Sequence, residues 1–271
     1  MGRLNFKYSL RIFKMIEFCS LGSGSAGNAF VVKNNQTILM VDCGFGLKET
    51  IDRLGRYQIK PNQISGILLT HEHEDHTKGA FSLANKFQIP IYLSHGTYQM
   101  CHKKINDGYQ IKFKLIRNFD SFMINSILIS PIPVPHDARE PFQFRFDCKD
   151  KSIAIITDLG KITKHIIEKL SKVNLLVLEF NHDEKMLKTS DYPESLKKRI
   201  NGHYGHLENK ESLKLLESIN HSGLQWVIAA HLSEKNNHIE LVKKMIFEIV
   251  DKKSSNVGII DQDLGLEWIS T

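Results

Sequence analysis

Six consecutive residues after a short apolar segment carry side chains that could hold metal ions. They are His71, Glu72, His73, Glu74, Asp75 and His76, in "THEHEDHTKG". Histidine nitrogens and carboxylate oxygens are ligands for divalent transition metals. Alternate residues of an extended chain point the same way, so we expect His71 and His73 to share one ion while Glu72 and Glu74 face away. Asp75 and His76 begin the turn into the next helix, and we expect them to reach a neighbouring ion.

Three more candidate ligands follow apolar segments further along the chain. They are His136 in "PVPHDA", Asp158 in "IITDLG" and His231 in "IAAHLS". A lone histidine is more often a core residue satisfied by one hydrogen bond, but equivalent positions at three strand ends favour a shared site. Asp42 in "VDCG" is a candidate acceptor for the second ring N–H of a ligating histidine.

The elements that must position these residues follow from hydrophobic periodicity and turn signals. We predict strands over 16–21, 28–33, 37–44, 64–70, 90–94, 126–135, 174–180, 225–230, 256–261 and 265–270, with a hairpin over 142–158. We predict helices over 47–54, 77–88, 161–171, 192–200, 209–220 and 238–251. Strands with helices on the outside of each half predict an α/β fold, a four-layer αββα sandwich. The histidines lie at strand-to-loop junctions, where sites usually form.

Length and composition allow one large domain. The chain has 271 residues, 41% of them hydrophobic, and we predict a single domain over 15–271 behind a basic extension over 1–14. Of the formal charge of +6, that extension holds four cations and no acid, which leaves +2 on the rest. Charge alone therefore does not argue for a nucleic-acid partner. No apolar run approaches about 18 residues, so we expect no membrane span.

The cysteines bear on the cellular compartment. Cys19, Cys43, Cys101 and Cys148 are far apart and form no CxxC pair. Free thiols in a reducing environment are the simplest interpretation, so we expect a cytoplasmic protein.

The ordered ligand set resembles the metallo-β-lactamase superfamily over roughly residues 16–271. The resemblance implies a first ion held by His71, His73 and His136, and a second held by Asp75, His76 and His231. It implies that Asp158 bridges the two ions, which would be zinc or manganese. Such a pair of divalent ions shares a hydroxide that acts as the nucleophile.

Further motifs resemble one branch of that superfamily. They are "GSGSAGN", "THEHEDHTKG", "HDA", "TDLG", "NHDEKML", "GHLEN" and "AHLSEKNN". These stretches resemble the YycJ/WalJ/VicX group, cytoplasmic proteins regarded as 5′→3′ DNA exonucleases. The resemblance implies a nucleic-acid substrate, with DNA favoured over RNA. The 72 residues between Asp158 and His231 are too few for the cap domain of the RNA-cleaving β-CASP branch.

The resemblance also implies catalytic and substrate-binding residues. His206 would contact the scissile phosphate or protonate the departing oxygen, and Glu179 would orient it; a salt-linked surface pair is the alternative. Asp75 is predicted to be catalytic as well as metal-binding. Predicted substrate contacts are Ser23, Ser25, Asn28, His182, Ser233 and Asn236.

Two local features near these residues carry separate expectations. The amides of the glycine turn "GSGSAGN" could cradle a phosphate, although a plain glycine-rich hairpin turn is the alternative. Glu208 stands where "GHLSN" would have serine, and Phe180 where a small residue is commoner. A carboxylate would repel a phosphate, so we expect Glu208 to point outward.

Two other functions compete with the nuclease. A small thioester or lactone hydrolase, similar to glyoxalase II, could use the same metal site. It would favour a C-terminal helical domain, and only 40 residues follow His231. A metal-stabilised binding module without activity is the second alternative. Structural zinc sites are usually closed by four ligands, often cysteines, whereas this set has seven histidines and aspartates.

Overall fold

The computed structural model describes residues 16–250 and 255–271, in which the strands form two mixed sheets of seven. The first sheet, in the order 14-1-2-3-4-5-6, contains β1 (Glu17–Gly22), β2 (Ala29–Asn34), β3 (Thr37–Val41), β4 (Gly66–Leu68), β5 (Ile91–Ser94), β6 (Phe113–Ile116) and β14 (Leu266–Ser270). The second sheet, in the order 13-12-11-10-9-8-7, contains β7 (Phe122–Ile124), β8 (Ile127–Pro133), β9 (Phe142–Cys148), β10 (Lys151–Ile156), β11 (Leu175–Glu179), β12 (Trp226–Ala230) and β13 (Asn256–Ile259).

The helices connect these strands. They are α1 (Leu47–Arg56), α2 (Glu74–Thr77), α3 (Ala80–Phe87), α4 (His95–Cys101), α5 (Lys164–Leu170), α6 (Glu184–Thr189), α7 (Glu194–Ile200), α8 (Asn209–Ile219) and α9 (Ile239–Ile249), with 3₁₀ turns at Pro61–Gln63 and His102–Lys104. None of the helices in the described ranges has the length and apolar content needed to cross a bilayer.

Three apolar clusters define four layers. Alternating residues such as Phe30 of β2 and Phe144 of β9 fill the space between the two sheets. A second cluster, which includes Leu54 of α1, lies between the first sheet and its helices. A third, which includes Leu216 of α8, lies between the second sheet and its helices. The predicted αββα sandwich is confirmed, and Phe180 is fully buried in this third cluster.

Parallel pairing brings several strand ends to one edge of each sheet. In the first sheet β3, β4, β5 and β6 are parallel. In the second, β10, β11, β12 and β13 are parallel. The carboxyl ends of parallel strands point the same way. The residues that follow β3 and β4 therefore lie at one edge, as do those that follow β10, β11 and β12.

Some elements were not predicted from the sequence. The helices α4 and α6 follow strands after few or no connecting residues, and each begins at a side-chain cap: Ser94 Oγ accepts from Thr97 N at 3.0 Å, and Asp183 Oδ1 from Met186 N at 3.0 Å. The strands β6 and β7 are short and lie at the sheet edges. The helix predicted over 77–88 is α3 (Ala80–Phe87), and Asp75 and His76, expected to begin a turn, lie in the short helix α2 before it. The predicted extension over 1–14 lies outside the described residues and stays a prediction.

Candidate metal centre

Three histidines place ring nitrogens around one point. His71 follows β4, and His136 follows β8. His73 is the residue immediately before α2. His71 Nε2 lies 2.9 Å from His73 Nδ1, which lies 3.4 Å from His136 Nε2. Tetrahedral nitrogen ligands of zinc at about 2.0–2.1 Å stand roughly 3.4 Å from one another. This first group, His71, His73 and His136, has the spacing of three ligands to one ion.

A second group, which consists of Asp75, His76 and His231, adjoins the first. His76 Nε2 lies 3.4 Å from Asp75 Oδ2 and 3.2 Å from Asp158 Oδ2. His231 Nε2 lies 3.5 Å from Asp158 Oδ1 and 3.8 Å from Asp75 Oδ2. Asp158 also groups with His71 and His76, so its carboxylate lies where the two groups meet.

Asp42 and Thr70 fix the ring orientation of two histidines. The Asp42 carboxylate can only accept, so His76 Nδ1 donates to Asp42 Oδ2 at 2.7 Å. Thr70 Oγ1 donates to the same oxygen at 2.8 Å and lies 2.9 Å from His71 Nδ1. With its proton given to Asp42, Thr70 accepts from His71. Both imidazoles therefore turn Nε2 towards the centre, as ligating histidines do.

The backbone at three strand ends adopts a left-handed conformation. Asp42, Asp158 and His231 have φ values of 58°, 51° and 55°. Non-glycine residues pay about 1 kcal/mol or more for this conformation, and it persists where the surrounding structure fixes it. Asp42 N, for example, donates to Leu68 O at 2.9 Å. Sharp turns at these strand ends therefore aim the side chains at the shared centre, a kind of strain common at functional sites.

Burial and the neighbouring carboxylates have opposite effects on the pKa values of the histidines. Burial, together with the neighbouring histidines, holds the pKa of His71 well below its ordinary value. Burial also opposes protonation of His76, but Asp158, Asp42 and Asp75 raise its pKa well above the usual range. The same balance, with Asp158 the main opposing charge, raises the pKa of His231 to about 10. The carboxylates around the second group therefore favour a positive charge at this position.

Unpaired buried atoms provide a test of whether a cation fits here. Asp158 Oδ2 and His231 Nε2 are buried, and neither has a hydrogen-bond partner. A buried polar atom left unpaired costs about 1–3 kcal/mol. Both atoms face the second group. A divalent cation would satisfy both atoms, so the donor set fits a metal.

A buried carboxylate and a histidine adjoin the second group. Glu179 ends β11 at 0% exposure, and its Oε1 accepts from His206 Nδ1 at 2.7 Å. Its Oε2 accepts from Leu159 N and Leu207 N, both at 3.0 Å. Burial favours the neutral acid, but His206 and His231 together hold the pKa of Glu179 below its ordinary value. The surface-pair alternative is wrong, because Glu179 lies inside the protein beside His231 Nδ1 at 3.3 Å.

Side chains already accept hydrogen bonds from backbone amides of the glycine turn. Gly24 N donates to Asn28 Oδ1 at 3.0 Å, and Ala26 N to Gln262 Oε1 at 3.0 Å. Ser23 Oγ donates to Asn28 Oδ1 at 2.8 Å and accepts from His231 N at 3.0 Å. The segment is therefore a hairpin turn whose amides are largely occupied, unlike the predicted phosphate cradle. Ser25 is exposed. Substrate contact by these side chains stays a prediction.

Asn28 lies against the metal-binding turn. It is fully buried, and its Nδ2 lies 3.4 Å from Asp75 Oδ2 and 3.2 Å from His76 Nε2. Its Nδ2 also donates to Gly24 O at 3.0 Å. These contacts tie the glycine turn to the Asp75–His76 segment.

The other predicted substrate contacts lie around the second sheet. His182 is buried, with Nδ1 3.2 Å from Asn181 Oδ1. Ser233 Oγ accepts from Asn236 N at 3.2 Å, and Ser233 lines a cavity of about 560 Å³. Asn236 is buried and its Oδ1 has no hydrogen-bond partner. The structure brings none of these three into the two ligand groups.

Glu208 does not point outward as expected. Its side chain is 14% exposed and lines a cavity beside His206. Burial raises the pKa of the Glu208 carboxyl. Glu208 is the N-cap residue of α8, and its side chain makes no capping hydrogen bond there.

Several residues of the site were not predicted from the sequence. Thr70 precedes His71 at a strand end and could have been noted as a hydroxyl donor. Asp137 belongs to the quoted "HDA" motif, and its Oδ1 lies 3.3 Å from His136 Nε2. Arg199 Nε donates to Asp137 Oδ2 at 2.6 Å, a contact across 62 positions that no local pattern indicates.

Comparison with known proteins places this site in a family. A family model described as Beta-lactamase superfamily domain matches residues 37–229. The chain is 31% identical to exodeoxyribonuclease YycJ of Bacillus anthracis, with 90% of this chain and 92% of that protein covered. It is 29% identical to exodeoxyribonuclease WalJ of Streptococcus pneumoniae, with 96% and 93% covered.

A solved structure agrees with the architecture. The metallo-beta-lactamase fold protein YhfI from Bacillus subtilis matches with a TM-score of 0.74 at 16% identity. The match covers 95% of this chain and 100% of that one. At this identity the likeness establishes the fold.

Proposed function

The chain belongs to the beta-lactamase superfamily, and within it to the YycJ/WalJ-like group; from this we propose that it is a metal-dependent phosphodiesterase that degrades DNA from the 5′ end. The observation that carries the proposal is the set of overlapping candidate ligand groups where the two sheets meet, one of which joins Glu179 and His206 to Asp158 and His231. The His206–Glu179 pair would place an acid next to the metal centre, where it can protonate the leaving oxygen of a phosphodiester.

Two divalent ions would be held by the residues already described. One would take the first group, His71, His73 and His136, and the other Asp75, His76 and His231, with Asp158 shared between them. Zinc or manganese suits these nitrogen and carboxylate donors. When bound, such ions lower the pKa of water and neutralise charge on a phosphoryl group.

His206 is the residue we assign to the departing oxygen. Glu179 accepts the proton at His206 Nδ1, which leaves Nε2 as the atom that can meet a substrate. The His206 side chain is 20% exposed, while Glu179 has no exposure at all. Glu179 therefore fixes the ring from inside the protein, and His206 Nε2 donates a proton to the leaving oxygen.

We assign Asp75 to accept the proton of the attacking water. Burial favours its neutral form, but in the metal-free protein His76 and His231 hold its pKa well below the ordinary value. Its side chain is 26% exposed, whereas His76 beside it is fully buried. Bound ions would leave His76 and His231 neutral, and a carboxylate at the solvent side of the centre could then accept a proton.

The substrate assignment rests on the relatives and on composition. The two relatives that match nearly the whole chain are both named exodeoxyribonucleases. In the described residues after His231, β13 and β14 join the edges of the two sheets and α9 packs on the second sheet, so these residues belong to the sandwich itself. All four cysteines are buried free thiols, which suits a reducing compartment, and we infer action in the cytoplasm.

End-labelled strands test this proposal. Purified protein is freed of metal, reloaded with zinc, manganese or magnesium in turn, and given single-stranded DNA, double-stranded DNA and RNA labelled at either end. We expect metal-dependent loss of mononucleotides from the 5′ end of DNA. RNA degraded faster than DNA, or shortening from the 3′ end, would contradict the substrate assignment. No cleavage of any strand with any metal would contradict the phosphodiesterase itself.

A further inference from the structure

Arg199 places a guanidinium beside the metal-binding segment. It lies in the last turn of α7, and its side chain is 59% exposed. Its Nε donates to Asp137 Oδ2 at 2.6 Å, and Asp137 directly follows the candidate ligand His136. Within the part of the chain that the structure describes, this is the one hydrogen bond of the Arg199 side chain. The two terminal nitrogens, Nη1 and Nη2, are therefore open to a ligand.

Asp137 lies between this guanidinium and the first group of candidate ligands. Its Oδ1 lies 3.3 Å from His136 Nε2 and 3.9 Å from His73 Nε2, while its Oδ2 accepts from Arg199. Its backbone N donates to Tyr204 O at 2.9 Å, which holds the residue in place. Bound cations would repel a guanidinium, and a carboxylate between them offsets that repulsion. Asp137 can therefore hold Arg199 at the edge of the metal centre.

The guanidinium also lies near the second group. Its hydrogen bond with Asp137 is the main cause that raises the pKa of Arg199, and the charge of Asp75 raises it as well. Asp75 is a candidate ligand on the solvent side of the centre, with 26% of its side chain exposed. Arg199 is thus within electrostatic reach of both groups while its outer edge stays in solvent.

The charges in the adjoining cleft are mixed. This cleft, of about 620 Å³, is lined by Glu72, Asp137 and Arg139 among others. Glu72 Oε1 accepts from Arg139 N at 2.7 Å, but its Oε2 is buried without a partner. That acid makes the cleft unfavourable for a chain of phosphates. Arg199 does not line the cleft, so it can bind a single phosphate outside it.

We propose that Arg199 binds one phosphate of the substrate strand beside the first group, and that Asp137 positions the guanidinium for this contact. The inference rests on the proposed function and adds a residue that holds the strand against the metal centre. A guanidinium presents paired N–H groups that match phosphate oxygens, and Asp137 occupies only the Nε of Arg199. A phosphate contact positions the strand and carries no base preference.

The salt dependence of binding tests this contact, because a merely structural ion pair does not change how many phosphates the protein neutralises. A short 3′-labelled phosphorothioate DNA strand is titrated with manganese-loaded protein at several salt concentrations. Fluorescence anisotropy gives the Kd, and gels confirm that the strand stays intact. We expect Arg199→Ala to raise the Kd by roughly 10- to 100-fold. The plot of log Kd against log salt concentration should become shallower by about 0.7, the value for one phosphate of a single strand.

A neighbouring cation provides the matched control. Lys198 is exposed on the same turn of α7 but lines a different cleft. Lys198→Ala removes the same charge and should keep the wild-type slope. Arg199→Lys keeps a cation at the position and should also keep the slope, with a smaller rise in Kd than Arg199→Ala because the paired N–H groups are lost.

Double variants test the positioning role of Asp137. In Asp137→Ala the guanidinium loses its anchor, so the further change Arg199→Ala should raise the Kd less than it does in wild type. Asp137→Asn keeps an oxygen that can accept from Nε, and there Arg199→Ala should again cost nearly its full effect. Metal content is determined in every sample. Equal effects of Arg199→Ala in wild type and in Asp137→Ala would refute the positioning role.

A methylphosphonate, which removes the charge of one phosphate, locates the contact along the strand. At one position the substituted strand should bind wild type and Arg199→Ala equally, because the charge that Arg199 meets is gone. Arg199→Ala that retains its metal and the wild-type slope overturns the proposal. So does an equal loss of slope in Lys198→Ala, or wild type that does not bind the strand. Wild type that binds as expected but cuts no nucleic acid leaves this contact standing and refutes the proposed function alone.

Discussion

Asp158 lies where the two ligand groups meet, with its two oxygens 3.2 Å from His76 Nε2 and 3.5 Å from His231 Nε2. Burial favours the neutral acid, yet the surrounding histidines, His231 foremost, lower its pKa, so the carboxylate stays charged. A buried charge of this kind is retained where positive charge faces it. At the residue scale, Asp158 is therefore the side chain that we propose to serve both groups.

Removal of this carboxylate should weaken metal binding. We expect Asp158→Ala to lose at least one of two bound ions and nearly all hydrolytic activity, because a negative charge between two cations disappears. Elemental analysis of the purified variant measures the ions directly. Asp150→Ala, an exposed aspartate in the turn between β9 and β10, is the control and should retain the wild-type metal content. Two ions still bound in Asp158→Ala would refute the assignment.

Metal binding should compete with protons. Opposing carboxylates raise the pKa of His76 and bring that of His231 to about 10, so both are protonated in the metal-free protein at neutral pH. A ligating histidine must be neutral, so binding releases these protons and the affinity rises with pH. Two protons released give about a hundredfold gain in affinity per pH unit. Calorimetric titrations in buffers with different ionisation heats count the protons, and a count of zero would contradict this account.

At the element scale, the strand ends explain which parts of the site the sequence could reveal. Apolar segments that stop at Thr70, Asp158 and His231 are visible as patterns, and parallel pairing within the second sheet brings the last two ends to one edge. The inward turn of Glu208 and the bonded amides of the glycine turn were not predictable. Ala26 N is satisfied by Gln262, 236 positions away, and only tertiary packing creates such a partner.

The position of the loop between α7 and α8 depends on Gly160, which lies outside the loop. A Cβ at Gly160 would stand 2.4 Å from His203 O and 2.7 Å from Gly205 N. Gly160→Ala should therefore push this loop away, lower the free energy of unfolding by about 1–3 kcal/mol and slow DNA cleavage through displacement of His206. Urea unfolding and single-turnover rates measure the two effects.

A glycine in a helix provides the control for this change. Gly55 lies in α1, and a Cβ there meets nothing within 4 Å. Gly55→Ala should leave cleavage unchanged and stabilise the fold by about 0.5–1 kcal/mol, because alanine favours helix. Equal stabilities for Gly160→Ala and wild type would show that the loop is not held as described.

At the scale of the whole molecule, the centre exists only because both sheets contribute to it. Asp42 and His71 follow strands of the first sheet, while His136, Asp158 and His231 follow strands of the second. The apolar cluster between the sheets sets their separation. His206 and Glu179 are outside the two proposed ligand sets, although they lie within reach of Asp158 and His231, so they can be altered without removal of a proposed metal ligand.

That separation allows the most direct test of the central claim. Rates on single-stranded DNA and on a generic thioester are measured for wild type and His206→Ala, with metal content determined in the same samples. We expect wild type to favour DNA strongly, and His206→Ala to keep its metal while DNA cleavage falls by about 10²-fold or more, as expected for a lost general acid. Unchanged DNA cleavage in the metal-loaded variant would remove His206 from the mechanism. Thioester turnover well above DNA turnover in wild type would contradict the nuclease assignment itself.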